Sequence, residues 1–281
     1  MDRSGQTPDG RIDLHSHSRA SDGQYGPGEV AERVVAAGVS VWSLSDHDTV
    51  AGLPLAAEAS ARLGLRLVPG IELSAFLDRR EIHLLGHFLD PVHPTLKRFE
   101  DELAMHRRIR MHAIVERLAA LGVRVAVSDI EKFGDGKTIG RPHVARAIQE
   151  TGAVGSVREA FDRFLGEGRP AYVQRFRLEL DDAVRLVRGA GGTVTVAHPG
   201  VSRLERGELA RLAAAGVAGM ETHHPDHNPS TREKYLRLAD ELGMVPTAGS
   251  DFHGEAISPD RSLGQVTMQP EDLERLERKR P

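Results

Sequence analysis

The chain has 281 residues, 37 Lys and Arg against 41 Asp and Glu, and a formal charge of −4, with 40% hydrophobic and 28% charged residues. It is long enough for a sizeable core, and its acidic balance excludes capture of duplex DNA by a broad basic face. The absence of cysteine removes disulfides, thiolate zinc sites and cysteine nucleophiles, and no apolar run approaches a membrane span or a signal-peptide core, so a cytoplasmic enzyme with no membrane partner is expected.

Residues 1–10 read as a flexible tail, and the first strand, entering at Ile12, runs into Asp13-Leu14-His15-Ser16-His17. Side chains alternate faces in an extended segment, so His15 and His17 point the same way and can share one divalent cation. A Ser/Asp/Gly-rich loop carrying Asp22 follows, then a helix from Pro27 to about Gly38. The β-branched run Val39 to Leu44 predicts a strand ending in Ser45-Asp46-His47-Asp48. An alanine-rich helix, Val50 to Leu63, stops at Gly64; the strand Leu65 to Val68 then brings Glu72 to its end, and Glu81 to Phe88 reads as another strand holding His83 and His87. Strand, polar tip, helix, strand is the rhythm of a parallel α/β sheet or barrel.

From Asp90 to Arg177 the pattern turns helical and arginine-rich, with helices expected at Pro94 to Leu121, Val127 to Phe133, Pro142 to Thr151 and Ser156 to Leu165. Residues 91–177 are therefore an inserted helical subdomain, a candidate lid, between barrel segments 11–90 and 178–281. The alternation resumes with a helix at Leu180 to Ala190 and the strand Thr193 to Ala197, ending in His198. A helix at Arg206 to Ala215 and the strand Val217 to Glu221 lead to Thr222-His223-His224. Another helix, Thr231 to Leu242, and the strand Met244 to Ala248 lead to Ser250-Asp251-Phe252-His253, and a last helix spans Pro270 to Arg280.

Fourteen histidines are the compositional anomaly, and most of the notable ones sit at strand ends. His15, His17, Asp22, Asp46, His47, Glu72, His83, His198, Asp251 and His253 would meet at one mouth if the strands run parallel in a barrel, where C-terminal ends converge on the active-site face. So many carboxylates raise one another's pKa values unless cations neutralise them, and the ligand count suits two or three divalent metals.

In order, DLHSHS with SDG, SLSDHDTV, PGIELS, EIHLLG, VAHPG and GSDFHG resemble the polymerase-and-histidinol-phosphatase (PHP) superfamily of phosphoesterases, over nearly the whole chain. The resemblance implies a distorted seven-stranded (β/α) TIM-like barrel, in line with the seven strands counted, and a trinuclear site. Carried over by position, His15, His17, Glu72 and Asp251 would hold one metal, Asp22, His47 and His253 a second, and His83 and His198 a third, with Glu72 bridging. Manganese is the first choice, with iron, zinc or cobalt as alternatives. The segments Ile139-Gly140-Arg141-Pro142-His143 and Phe161-Asp162-Arg163-Phe164-Leu165 resemble the branch that hydrolyses nucleotide phosphates. The substrate implied is a nucleoside 3′,5′-bisphosphate cleaved at its 3′-phosphate, or a short 5′-phosphorylated RNA. The alternatives are 5′-AMP, histidinol phosphate, or a domain that binds nucleotide without turnover.

Such a reaction needs no covalent phospho-enzyme, and its general acid is left unassigned. The phosphate that is not cleaved needs its own cation, for which Arg141 and Lys137 are the candidates, with His143 and His224 behind them. Other residues read more plainly. Asp46 is expected to hydrogen-bond beside the ligands rather than ligate, and Trp42 to sit in the core. His87, His93, His106 and His112 are expected to be solvated or core side chains, and His227 to face solvent in a Pro/Asp/Asn turn. Arg107-Arg108-Ile109-Arg110 reads as a solvated helix face, and at most one of His223 and His224 can face the site. Oligomeric state is left open.

Overall fold

Apolar, β-branched runs become strands and the alanine-rich stretches between them become helices, in a computed structural model that describes residues 10–133 and 140–281. Lys137 lies outside the described residues. In chain order the elements are β1 (Arg11–Asp13), α1 (Pro27–Ala36), β2 (Val39–Leu44), α2 (Leu53–Leu63), β3 (Arg66–Leu77) and β4 (Arg80–His87). Then come α3 (Pro94–Ala120), α4 (Val127–Glu131), α5 (Arg141–Glu150) and α6 (Val157–Ala160), the last running into a π-helical turn at Phe161–Leu165. The remainder is β5 (Leu178–Glu179), α7 (Leu180–Gly189), β6 (Thr193–Val196), α8 (Arg206–Ala215), β7 (Gly219–His223), α9 (Pro229–Glu241), β8 (Val245–Ala248) and α10 (Pro270–Glu277). None of these helices is long and apolar enough to cross a membrane.

The chain divides into two compact units, Met1–Leu96 with Leu178–Pro281, and Lys97–Arg177. The first is a mixed α/β unit around an eight-stranded sheet in the order β1-β2-β3-β4-β6-β7-β8, with β5 added beside β3. β1, β2 and β3 pair in parallel, as do β6, β7 and β8. Just past β1, Leu14 N–H donates to the O of Ala248, the last residue of β8, at 3.0 Å, and farther on His17 N–H donates to Phe252 O at 2.9 Å. Ile12, Leu14, Val41, Val68, Val245 and Leu273 share a buried core. Trp42 is wholly buried, with its indole N–H donating to Ser60 Oγ at 3.1 Å.

β4 departs from the expected parallel pattern. It pairs antiparallel with β3 on one side and with β6 on the other, and β3 runs on through Glu72 to Leu77, so Glu72 lies within a strand and not at its end. The turn at Asp78-Arg79 places Asp78 at φ 56°, a left-handed conformation that aspartate tolerates. The extension rests on its partner, from Gly70 opposite His87 to Leu77 opposite Arg80, and such cross-strand support leaves no local signal. With the two-residue β5, the strands number eight where seven were expected.

Inside β4, His87 is wholly buried and its Nε2–H donates to Leu14 O at 3.0 Å. Burial pushes its pKa down to about 4, against roughly 6.5 in an unfolded chain. The unfolded state therefore takes up a proton that the native state refuses. This contribution is intact above the unfolded pKa and is lost as pH falls toward the folded one, by about 3 kcal/mol in all. In urea titrations between pH 7 and 4, His87→Gln is expected to lose less stability than the parent protein; parallel losses would show that His87 is not the group responsible.

The second unit is helical, with its own core of Met111, Ile114, Leu118, Val144, Ile148 and Leu165. The helix expected to run from Ser156 to Leu165 changes pitch at Phe161, where Gly166 N–H reaches back five residues to Phe161 O at 2.8 Å. Arg107 and Arg110 are half-buried, not part of a solvated face, and line a cleft with Arg141, Met111 and Val144. Arg110 Nε–H donates to Val173 O at 2.9 Å. Burial, with Arg141 and Arg175 nearby, lowers its pKa to about 10.

Candidate metal centre

The chain beyond β1 stays extended enough for Ser16 to bridge Phe252, which sets His15 and His17 on one side while Ser16 Oγ–H donates the other way, to Ser43 O at 2.7 Å. Both imidazoles are wholly buried. His15 Nε2 and His17 Nε2 lie 3.1 Å apart, and each is 3.1 Å from Glu72 Oε2. Asp251 Oδ1 completes the group, 3.4 Å from His15 and 3.1 Å from His17. Four donors that each sit about 2.1 Å from a shared tetrahedral ion stand about 3.4 Å apart, so this spacing suits a cation at their centre.

A second set surrounds Asp22: His253 Nε2 at 3.4 Å, His17 Nδ1 at 3.7 Å and His47 Nε2 at 3.8 Å. A third uses the other face of Glu72, whose Oε1 is 2.8 Å from His83 Nδ1 and 3.3 Å from His198 Nε2. His47 Nε2, 3.4 Å from Glu72 Oε2, links the second and third sets. The nine residues singled out by their motifs are thus brought together in the first unit, around one carboxylate with both oxygens engaged.

Electrostatics point the same way. Burial opposes ionisation of Glu72, yet His15 and His47 hold its carboxyl well below the usual range. Asp251 is also held well below its usual range against burial, chiefly by His15 and His17. Burial disfavours the His15 imidazolium, but Glu221, Glu72 and Asp251 raise its pKa well above the usual value. His17 rises against burial to about 9, through Asp251 and Glu72, and His83 to about 10, through Glu72 and Glu81. At His47 burial wins and the pKa falls to about 4. Protons on His15, His17 and His83 thus balance charge that divalent cations would otherwise balance.

His17 Nδ1, which faces Asp22 in the second set, is buried without a hydrogen-bond partner among the described residues, which is uncommon for a polar atom unless something else ligates it. Asp48, His198 and Asp251 lie beside or within the cluster at φ 55°, 26° and 50°, a concentration of strained backbone typical of functional sites. The donor set of imidazoles and carboxylates therefore fits divalent metal ions.

Asp46 accepts from Ser18 N–H, Ser18 Oγ–H and Ser21 Oγ–H, each at 2.7 Å, and so holds the loop that carries Asp22. His224 is buried, with Nε2 3.5 Å from Asp251 Oδ2, while His223 is half-buried and meets Thr222 Oγ1 at 2.8 Å. His227 does not face solvent: it is buried, with Nδ1–H donating to Thr222 O at 3.0 Å and Nε2 accepting from Gly200 N–H at 3.0 Å. Arg141 and His143 belong to the helical unit, where Arg141 donates to Leu165 O at 3.2 Å and His143 Nδ1 accepts from Gly140 N–H at 3.0 Å.

Three further residues were given no role by the motifs, although Asp13 stands in the first of them. Asp13 is buried and accepts from Ser250 N–H and Gly264 N–H, both at 2.9 Å. Glu221 accepts from His15 and His198, and Arg261 joins the carboxylate of Asp251 to Asp226 Oδ2, the latter at 2.7 Å. For Asp13 a signal existed, an acidic residue in a strand between apolar Ile12 and Leu14, and for Glu221 a weaker one, an acidic residue in a strand after apolar Met220.

Residues 13–133 match the PHP domain family. Over 247 residues the chain is 36% identical to a 3′,5′-nucleoside bisphosphate phosphatase of Chromobacterium violaceum, covering 86% of this chain and 87% of that one. The chain belongs to the PHP family. A 5′-3′ exoribonuclease of Haemophilus influenzae is 33% identical over 86% of this chain and 90% of its own. Among solved structures, a protein of Bifidobacterium adolescentis described as a metal-dependent phosphoesterase superposes with a TM-score of 0.77 at 29% identity, covering 98% of each chain.

Proposed function

We propose that this PHP protein is a metal-dependent phosphoesterase that removes the 3′-phosphate of nucleoside 3′,5′-bisphosphates and trims short 5′-phosphorylated RNA at the same centre. The observation that carries the reading is the convergence of three donor sets on Glu72, with Oε2 meeting His15, His17 and His47 and Oε1 meeting His83 and His198. The names of the bisphosphatase and exoribonuclease relatives supply the substrate class. The backbone bonds joining the extensions of β1 and β8 support the finer reading of the sheet as a distorted TIM-like barrel, its seven main strands closed on themselves.

His15, His17, Glu72 and Asp251 would hold one ion, Asp22, His47 and His253 a second, and His83 and His198 a third, with Glu72 shared. Manganese is the first choice, since imidazole and carboxylate donors without thiolate suit it as well as iron, zinc or cobalt. When bound, such ions supply Lewis acidity toward phosphate oxygens and activate water near neutral pH. The protein's own part is to keep Glu72 and Asp251 ionised, to release the protons of His15, His17 and His83 as cations enter, and to exclude bulk water by burying most of the donors. Residues 91–177 are assigned the substrate-side role, with Arg141 holding the phosphate that is not cleaved. Neither duplex DNA nor a membrane enters this reading.

Phosphate release from adenosine 3′,5′-bisphosphate, 5′-AMP, 3′-AMP, histidinol phosphate and a 5′-phosphorylated RNA pentamer tests it. The bisphosphate is expected to be preferred, with AMP accumulating, and Arg141→Ala to raise KM for it about tenfold while changing that of an aryl phosphate little. Preference for 5′-AMP or histidinol phosphate would move the protein to another branch, and no release by a metal-loaded protein would leave a binding domain.

A further inference from the structure

We propose that Glu221 is a positioning residue that fixes which nitrogen of His15 faces the metal and, with the same carboxylate, sets the turn that delivers His198. The inference rests on the metal-centre reading above. Glu221 lies in β7, wholly enclosed. Its Oε1 is 2.9 Å from His15 Nδ1, and its Oε2 accepts the backbone N–H of His198 at 2.7 Å. An ionised carboxylate only accepts, so the shared proton belongs to His15 Nδ1 and the lone pair of the neutral ring falls on Nε2. Nε2 is the atom that meets His17 Nε2, Glu72 Oε2 and Asp251 Oδ1.

The other oxygen acts on backbone. His198 sits at φ 26°, a conformation that costs a non-glycine residue energy and holds only where its surroundings over-determine it. The accepted amide bond is one such tie. The rings of His15 and His198 consequently stack, with centroids 5.8 Å apart and planes 20° from parallel. One carboxylate thus coordinates the placement of two imidazoles that approach from different strands.

Glycine makes the reach possible. In the sheet order β8 follows β7, and the chain just past β8 pairs with the extension of β1, so Gly249 stands between Glu221 and His15. A Cβ at Gly249 would fall 2.2 Å from His15 Cβ and 2.5 Å from Glu221 Oε1. The absence of a side chain there is the gap through which the carboxylate meets the ring. Both carboxylate oxygens are occupied by these contacts, and Glu221 belongs to none of the three donor sets, so it supports ligands without being one.

Glu221→Gln keeps the shape and presents an amide N–H to His15 Nδ1, which favours the tautomer that carries its proton on Nε2. Zinc, being diamagnetic, is the probe. Titration against a chromophoric chelator is expected to show about a 10- to 100-fold loss of zinc affinity in Glu221→Gln, with the far-ultraviolet circular dichroism of the metal-free protein unchanged. Gly249→Ala, which keeps both side chains but forces them apart because its Cβ would fall 2.2 Å from His15 Cβ and 2.5 Å from Glu221 Oε1, is expected to lose zinc affinity in the same direction. In the zinc-loaded parent protein, 15N resonances of the imidazoles should place the His15 proton on Nδ1, a readout that needs no variant. Parent-like affinity in Glu221→Gln, or a His15 proton on Nε2 in the parent, would overturn the assignment. A parent protein that takes up no zinc, manganese or iron would instead remove the metal centre itself, and this inference with it.

Discussion

Glu72→Gln is expected to cripple turnover, with phosphate release falling by about 10²- to 10³-fold, the scale seen when one preorganised polar group is removed from an active site. The substitution changes almost no volume, so the effect isolates charge. Glu72 Oε2 lies within 3.4 Å of His15, His17 and His47, and Oε1 within 3.3 Å of His83 and His198. A neutral amide cannot serve donors on both faces, because one end of it donates where both ends of the carboxylate accept. Metal content measured on the same sample should fall by more than one ion per chain, since the residue is shared. Turnover within tenfold of the parent at full metal content would place Glu72 outside the reaction.

Metal removal should act on stability as strongly as on activity, and on one unit more than the other. Ions that bind only the folded state at a hundred times their dissociation constant contribute about 2.7 kcal/mol each, enough to move a transition of a 200-residue unit by roughly 5–10 °C. All nine donors lie in the unit formed by Met1–Leu96 and Leu178–Pro281, while Lys97–Arg177 has a separate core built on Ile114, Leu118 and Ile148. Calorimetry with and without a chelator is expected to lower the transition of the first unit and to leave that of the helical unit in place. A thermogram that the chelator does not change would rule out structural occupancy of the centre. A chelator shift in the helical unit's transition of equal size would show that the two melt together. The same experiment across pH should show metal affinity rising toward alkaline conditions, because His17 and His83, with pKa values raised to about 9 and about 10, must lose their protons to bind.

Much of this was legible in the chain because it is local. Alternation alone puts His15 and His17 on one side, β-branched runs announce β2, β6 and β8, and glycine after an apolar helix marks the end of α2, where Gly64 adopts φ 72°. The placement of His47, His198 and Asp251 just past strand ends follows from the same reading. The helical character of the arginine-rich middle was equally plain, although its cleft was not: Arg107 and Arg110 leave the solvent against residues beyond α3, among them Arg141 and Val144 of α5 and, for Arg110, Val173, and nothing within α3 itself says so.

By itself the sequence determined the residue types at the centre, their order, and the alternation of strand and helix that carries them, since each depends on neighbours a few positions away. Tertiary structure alone decided the rest. It extended β3 through Glu72 against an antiparallel β4, whose pairing involves side chains and backbone distant from any local pattern. It buried His227 beneath Gly200. It also set Glu221 between His15 and His198, residues separated from it by 206 and 23 positions, through a gap at Gly249. The physical reason is the same in each case: burial and hydrogen-bond partnership are properties of what lies across the fold, and a linear pattern records only what lies along it.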